Sequence, residues 1–141
     1  MRNIVSAWLR RVFPKKTLGQ RGEAAAARYL RRRGYKIIAQ SEWVKRQGEL
    51  DIVAIQGKKI VFVEVKTRIS SDQNHPAEAV DSAKQRRLSQ LAVMFLKRHG
   101  LLEYPARFDV ISITWPAGKW RPQIEHIQNA FEAVGEGGFY F

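Results

Sequence analysis

The chain reads as a single α/β domain in the order helix, three strands, helix, two strands, and three observations predict it. An alanine-rich stretch opens on a capping pattern, two runs rich in Val, Ile and Phe flank a Gly-centred turn, and a second apolar stripe at helical spacing precedes two more β-branched runs. A chain of 141 residues with 45% hydrophobic content suffices for one ordinary core. We therefore expect a basic amphipathic segment at 1–16, one domain at 17–134 and a short Gly/aromatic tail at 135–141.

In the first thirteen residues Ile4, Val5, Trp8, Leu9, Val12 and Phe13 form one helical stripe interrupted by Arg2, Arg10 and Arg11, and Pro14 ends it. It has no uninterrupted apolar core of the kind a secretion signal needs, and no stretch of the chain approaches the length of a membrane-spanning helix. The stripe suits packing on the domain or a partner better than a membrane surface. Thr17 with Gln20 reads as a capping box for a helix through Arg33, with Gly34 as its stop and Ala24, Ala25, Ala26 and Ala27 favouring it. Residues 35–40 read as a strand, extendable toward Val44. Residues 49–55 and 59–67 read as a hairpin about Gln56-Gly57-Lys58. Residues 69–75 are polar and turn-like. Ser82 and Gln85 suggest a second capping box, followed by Leu88, Leu91, Ala92, Phe95 and Leu96 up to Gly100. Residues 107–114 alternate as a strand, and 123–127 form a weaker one after the turn at Trp115-Pro116-Ala117-Gly118.

Charge speaks to the partner. Lys plus Arg number 25 against 13 Asp plus Glu, a formal charge of +12, which suits a polyanion such as nucleic acid, although a basic surface also serves solubility alone. The absence of Cys excludes disulfides and thiolate chemistry and is compatible with a cytoplasmic location. His75, His99 and His126 lack ligand spacing, so a zinc site is not expected.

The hairpin carries the chemistry. With a loop centred on Gly57-Lys58, opposed residues sum to 115, which places Asp51 across from Glu64 and Glu49 across from Lys66, all on one face. Opposed Cβ atoms lie roughly 4.5–5.5 Å apart in an antiparallel pair, and two carboxylates about 5 Å apart repel by on the order of 3 kcal/mol at an effective dielectric near 20. A bound Mg²⁺ turns that repulsion into attraction, since hard carboxylate oxygens are its preferred protein ligands. Asp51 and Glu64 are thus the expected metal ligands, and Lys66 is placed to orient an attacking water and to steady charge on a phosphate. The alternative is a cross-strand Glu49–Lys66 ion pair on a solvated edge, with Asp51 and Glu64 merely exposed. Glu49 is otherwise a supporting acid, and Asp109 is expected to pair with Arg107 or another base. Trp43, Tyr35 and Trp120 could stack on bases, a role weighed against ordinary burial.

Asp51 followed by Glu64-Val65-Lys66 resembles the PD-(D/E)xK nuclease superfamily with its restriction-endonuclease-like fold, Leu50 standing where the eponymous Pro would be. The span from Gly19-Gln20-Arg21-Gly22-Glu23 through Gly48-Glu49-Leu50-Asp51 and Phe62-Val63-Glu64-Val65-Lys66-Thr67-Arg68 to Arg107-Phe108-Asp109-Val110 more closely resembles the YraN-like family of small bacterial proteins. The likeness to archaeal-type Holliday junction resolvases is more distant. The superfamily resemblance implies an αβββαβ core, a mixed central sheet flanked by helices, and cleavage of DNA phosphodiesters, including branched or structured DNA, with Mg²⁺ or Mn²⁺. It implies that Glu23 on the first helix assists the metal and that Gln85 is a helix-borne polar residue of the site; locally, Glu23 is also a favourable acid near a helix start and Gln85 a capping partner. Lys84, Arg86 and Arg68 are candidate phosphate contacts, weighed against solvated surface charge. Homodimers are plausible by analogy with nucleases that pair to cut two strands. The rival readings are a nucleic-acid-binding module of the same fold without useful turnover, and a basic assembly protein acting through its N-terminal stripe.

Overall fold

A computed structural model describes residues 5, 8, 15–69 and 80–135. Helix α1 (Leu18–Arg32) leads into strands β1 (Lys36–Val44), β2 (Gly48–Gln56) and β3 (Lys59–Arg68); α2 (Ser82–Arg98) then precedes β4 (Ala106–Thr114) and β5 (Gln123–Phe131). The five strands form one sheet in chain order, antiparallel throughout except for β3 and β4, which run parallel from Ile60 opposite Ala106 to Arg68 opposite Thr114. A parallel pair needs a crossover, and α2 lies on that connection. This is the order and the mixed sheet that the sequence predicts.

Alternation along the central strands sorts the core into two layers. Ile52, Ala54, Val61, Val63, Ile111 and Ile113 meet Ala25, Ala26, Ala27 and Leu30 of α1, whereas Val53, Ile60, Phe62, Phe108 and Val110 meet Leu88, Leu91, Ala92, Phe95 and Leu96 of α2. The helices thus cover opposite faces, and β3 and β4 are buried on both sides, which explains their near-continuous Val and Ile content. The alanines of α1 let it lie close to the sheet. Closest of all is Gly22, where an added Cβ would stand 1.9 Å from Thr67 Oγ1.

Local chemistry sets the element ends. The Thr17/Gln20 capping box forms in both directions, with Gln20 N–H donating to Thr17 Oγ1 at 3.2 Å and Thr17 N–H to Gln20 Oε1 at 2.9 Å. Gly34 follows the helix at φ +87°, a left-handed conformation that glycine adopts without strain. The start of α2 departs from expectation by one residue: Asp81, not Ser82, is the N-cap, its carboxylate accepting from Lys84 N–H at 2.8 Å, while the Gln85 side chain donates to the Val80 carbonyl at 2.9 Å. A carboxylate facing the exposed N–H groups is the stronger cap, being charge-assisted and favoured by the helix dipole. Strand β5 runs longer than expected, to Phe131, because an irregularity at Asn129 (φ +51°) re-aims the chain.

Of the N-terminal stripe only Val5 and Trp8 are described, both exposed; the rest of that stripe, the stretch 70–79 with His75, and the tail at 136–141 lie outside the described residues. Among the described residues no helix is long and apolar enough to cross a membrane.

Candidate metal centre

The site forms where β2 and β3 part. Their pairing runs from Gln56 opposite Lys59 to Ile52 opposite Val63, every pair summing to 115 as expected. Beyond it the Asp51 side chain takes over a backbone role: its Oδ2 accepts the Val65 N–H at 2.9 Å. Leu50 also packs with Val53 in the α2-side layer, so the two-residue alternation slips between these positions and β2 turns about Asp51. A strict four-residue face is therefore not what the fold builds.

Instead the acids divide. Glu23 of α1 and Glu49 and Asp51 of β2, all half-buried, each offer a carboxylate oxygen, and those oxygens lie within 4.8 Å of one another. Ser41 Oγ donates to Glu23 Oε2 at 2.7 Å and holds that side chain from β1, at a residue with φ +47°. Glu64 is buried at 7% exposure and faces cations: Lys84 Nζ of α2 lies 3.3 Å and Lys66 Nζ 3.6 Å from its Oε1. The sequence predicts Glu64 as the second ligand and Glu49 as support or as the Lys66 partner; the structure groups Glu49 with Asp51 and Glu23 and seats both ammonium groups on Glu64.

The two halves still feel each other. Burial pushes the Asp51 carboxyl up to about 7, the neighbouring Glu64 carboxylate adds to the rise, and the Val65 N–H opposes it. A desolvated acid crowded by further acids is the electrostatic state that a divalent cation relieves. The donor set also fits in kind, because three carboxylate oxygens gathered within 4.8 Å of one another are the hard ligands that Mg²⁺ takes. The cluster could hold a metal ion.

The remaining predicted residues separate into near and far. Lys84 joins the site through Glu64, while Arg86 is exposed. Gln85 is engaged by the Val80 carbonyl at the helix start. Arg68 is half-buried at the end of β3, its carbonyl accepting the Trp115 N–H at 2.9 Å. Asp109 pairs with Arg107 at 2.9 Å as expected, and also meets His126 Nε2 at 2.8 Å and the Asn129 N–H at 2.9 Å. That fully buried group ties β4 to β5; only tertiary pairing brings His126 to it. Ser41 escaped sequence reasoning as well, since nothing local marks a serine on β1 as the partner of a glutamate on α1.

Residues 22–113 match the model of a family described as Uncharacterised protein family UPF0102. Relatives include UPF0102 proteins of Rhodopirellula baltica (48% identical over 87% of this chain and 75% of that protein), Geobacter metallireducens (53%, over 83% and 93%) and Symbiobacterium thermophilum (47%, over 82% and 97%). Their names carry the family designation alone. The match bears out the YraN-like resemblance, and its span takes in Glu23, Glu49, Asp51, Glu64, Lys66 and Lys84.

Proposed function

Because the chain belongs to the uncharacterised protein family UPF0102, its chemistry has to be argued from its own side chains, and we propose that it is a metal-dependent nuclease hydrolysing DNA phosphodiesters. One observation carries the reading: three carboxylate oxygens from α1 and β2 converge within 4.8 Å beside two ammonium groups gathered on a buried glutamate. Asp51, Glu49 and Glu23 are the residues that would hold Mg²⁺ or Mn²⁺, with Glu64 at its edge. When bound, such an ion supplies Lewis acidity toward a phosphoryl oxygen.

The chain's own groups do the rest. Lys66 and Lys84 carry N–H donors at the mouth of the site, placed to orient a water and to steady negative charge building on phosphate oxygens. Asp51, fixed by the Val65 N–H, holds its carboxylate in one orientation. Ser41 fixes Glu23 in the same way. The formal charge of +12 supplies sequence-independent attraction for a polyanion, which weakens steeply with salt.

The test is nicking of labelled single-stranded, flapped and four-way DNA under Mg²⁺ and Mn²⁺ titration. Cleavage should require the ion and stop in Asp51→Asn and Lys66→Ala proteins that remain folded. Full activity in chelator, or in either variant, refutes the assignment.

A further inference from the structure

A second built surface lies on the opposite flank of α1. Arg21, Arg28 and Arg32 recur at i, i+7 and i+11, so they share one helix face, and with Lys16 and Arg121 they line a groove of about 610 Å³. At 3.6 residues per turn, Glu23 points about 160° away from Arg21. The groove is therefore separate from the carboxylate cluster but shares its helix.

Its other wall is aromatic. Trp115 and Trp120 come from the β4–β5 connection and Tyr29 from α1. The connection is pinned from within: the Lys119 N–H donates to the Pro116 carbonyl at 3.1 Å, and Trp115 Nε1 donates to the Trp120 carbonyl at 3.4 Å. Even so, Trp120 is 80% exposed, a large apolar cost for a side chain with only its own stability to serve. Guanidinium groups lie over these rings, Arg21 at 4.7 Å from Trp115 and Arg121 at 4.6 Å from Trp120. A guanidinium stacked on a ring keeps its edge N–H groups for an anion; Trp115 itself is buried in the core, so the open ring face of this wall is that of Trp120.

We propose that this groove binds single-stranded DNA, an inference that rests on the nucleic-acid reading above and gives it a substrate class: DNA with an unpaired arm. One exposed indole at Trp120, with the half-buried Tyr29 in the same wall and five cations around it, is what an extended strand needs, since a base stacks there without regard to sequence and the phosphates track the positive charge. A duplex hides its base faces and offers this wall only phosphates. The arm lies on one side of α1, and the carboxylates wait on the other.

Binding is measured by anisotropy of fluorescein-labelled oligo(dT) of twenty nucleotides, with full-length Asp51→Asn protein in EDTA so that no cleavage intervenes. Trp120→Ala should weaken binding about five- to a hundredfold. Arg28→Ala with Arg32→Ala should lower the slope of log affinity against log salt by about 1.4. All three side chains are exposed, so thermal melts of these variants should match the parent; as a second guard, oligo(dT) should quench tryptophan emission of the parent but much less that of Trp120→Phe, which keeps a ring at the position. The assignment falls if both sets of variants bind within twofold of the parent, if a matched duplex binds as tightly as oligo(dT), or if oligo(U) or phosphatidylserine vesicles bind more tightly. Intact strand binding by the parent protein with no cleavage at any Mg²⁺ or Mn²⁺ concentration overturns the nuclease reading and leaves the groove standing.

Discussion

Asp51→Asn separates what the central carboxylate costs from what it does. In the metal-free protein the Asp51 carboxyl is pushed up to about 7, chiefly by burial and then by Glu64, against about 3.9 in an unfolded chain. The folded pKa is the raised one, so its favourable contribution is complete below about pH 4, is lost as pH climbs toward 7 and changes little beyond. Three units at 1.36 kcal/mol each come to on the order of 4 kcal/mol at pH 8, and the same relation gives less than half of that at pH 5. Asparagine keeps an oxygen for the Val65 N–H and never ionises. In chelator the variant should therefore exceed the parent by up to about 4 kcal/mol at pH 8, and by much less at pH 5. At about 3–4 °C per kcal/mol for a domain of this size, Tm rises by about 10–15 °C at pH 8. Manganese reverses the order: at a hundredfold over its dissociation constant it adds about 2.7 kcal/mol to the parent, and little to a variant without the anionic oxygen. Thermal and urea melts from pH 4 to 8, with EDTA and with manganese, read both effects. A stability difference that stays constant across that range, or manganese stabilising both proteins equally, refutes the electrostatic account of this site.

Three further outcomes follow from the same contacts. Lys66→Ala should lower nicking about 10²- to 10³-fold, the usual loss for one donor aimed at developing charge, while circular dichroism melts move by only a few degrees because Lys84 still faces Glu64. Gly22→Ala drives a Cβ into Thr67 and should cost about 1–3 kcal/mol in urea melts together with most of the activity, since α1 carries Glu23; adding Thr67→Ala should restore part of both. Asp109→Asn should cost about 3–5 kcal/mol at pH 7 by leaving Arg107 without its buried partner. Burial raises the Asp109 carboxyl, but the bonds from His126, Arg107 and Asn129 outweigh it and hold the pKa below the ordinary value. That contribution is present above about pH 4 and lost as pH falls further, so the gap between parent and variant should narrow in acid; a gap below 1 kcal/mol at neutral pH contradicts the network.

The fold was legible because each element announces itself locally. The capping box at Thr17, the alanines of α1, the Gly57-Lys58 turn and the β-branched runs all depend on neighbours within a few residues, and the 115 register follows from the turn alone. What was misplaced depends on competition or on distance. At the start of α2 two residues offered caps one position apart, and the charged Asp81 prevailed over Ser82. The far end of β5 is set by Asp109 drawing in Asn129 across twenty residues, which no local pattern encodes.

The site illustrates the same division more sharply. Sequence spacing groups Asp51, Glu64 and Lys66, and the structure keeps Lys66 on Glu64 and Glu64 within electrostatic reach of Asp51, but the ladder register on which that grouping rests ends at Ile52 opposite Val63. A hairpin that kept its register would set the Asp51 and Glu64 carboxylates side by side on one face with backbone bonds continuing between the strands. Asp51 avoids this by substituting its own oxygen for a backbone acceptor on Val65. The strands then part, β2 turns, and Glu49 and Asp51 come round to Glu23 on α1, while Glu64 stays on the other side with two lysines. Removing that one hydrogen bond without removing the charge is not possible by a change at Asp51, but lengthening the side chain comes close. Asp51→Glu retains the anion and displaces its oxygens by one methylene, so the Val65 N–H loses its partner geometry. If the parting of the strands is what assembles the cluster, this variant should lose manganese-dependent stabilisation as fully as Asp51→Asn while keeping a raised, titrating carboxyl; manganese stabilisation equal to the parent's would mean that charge alone, and not the break in the ladder, gathers the acids.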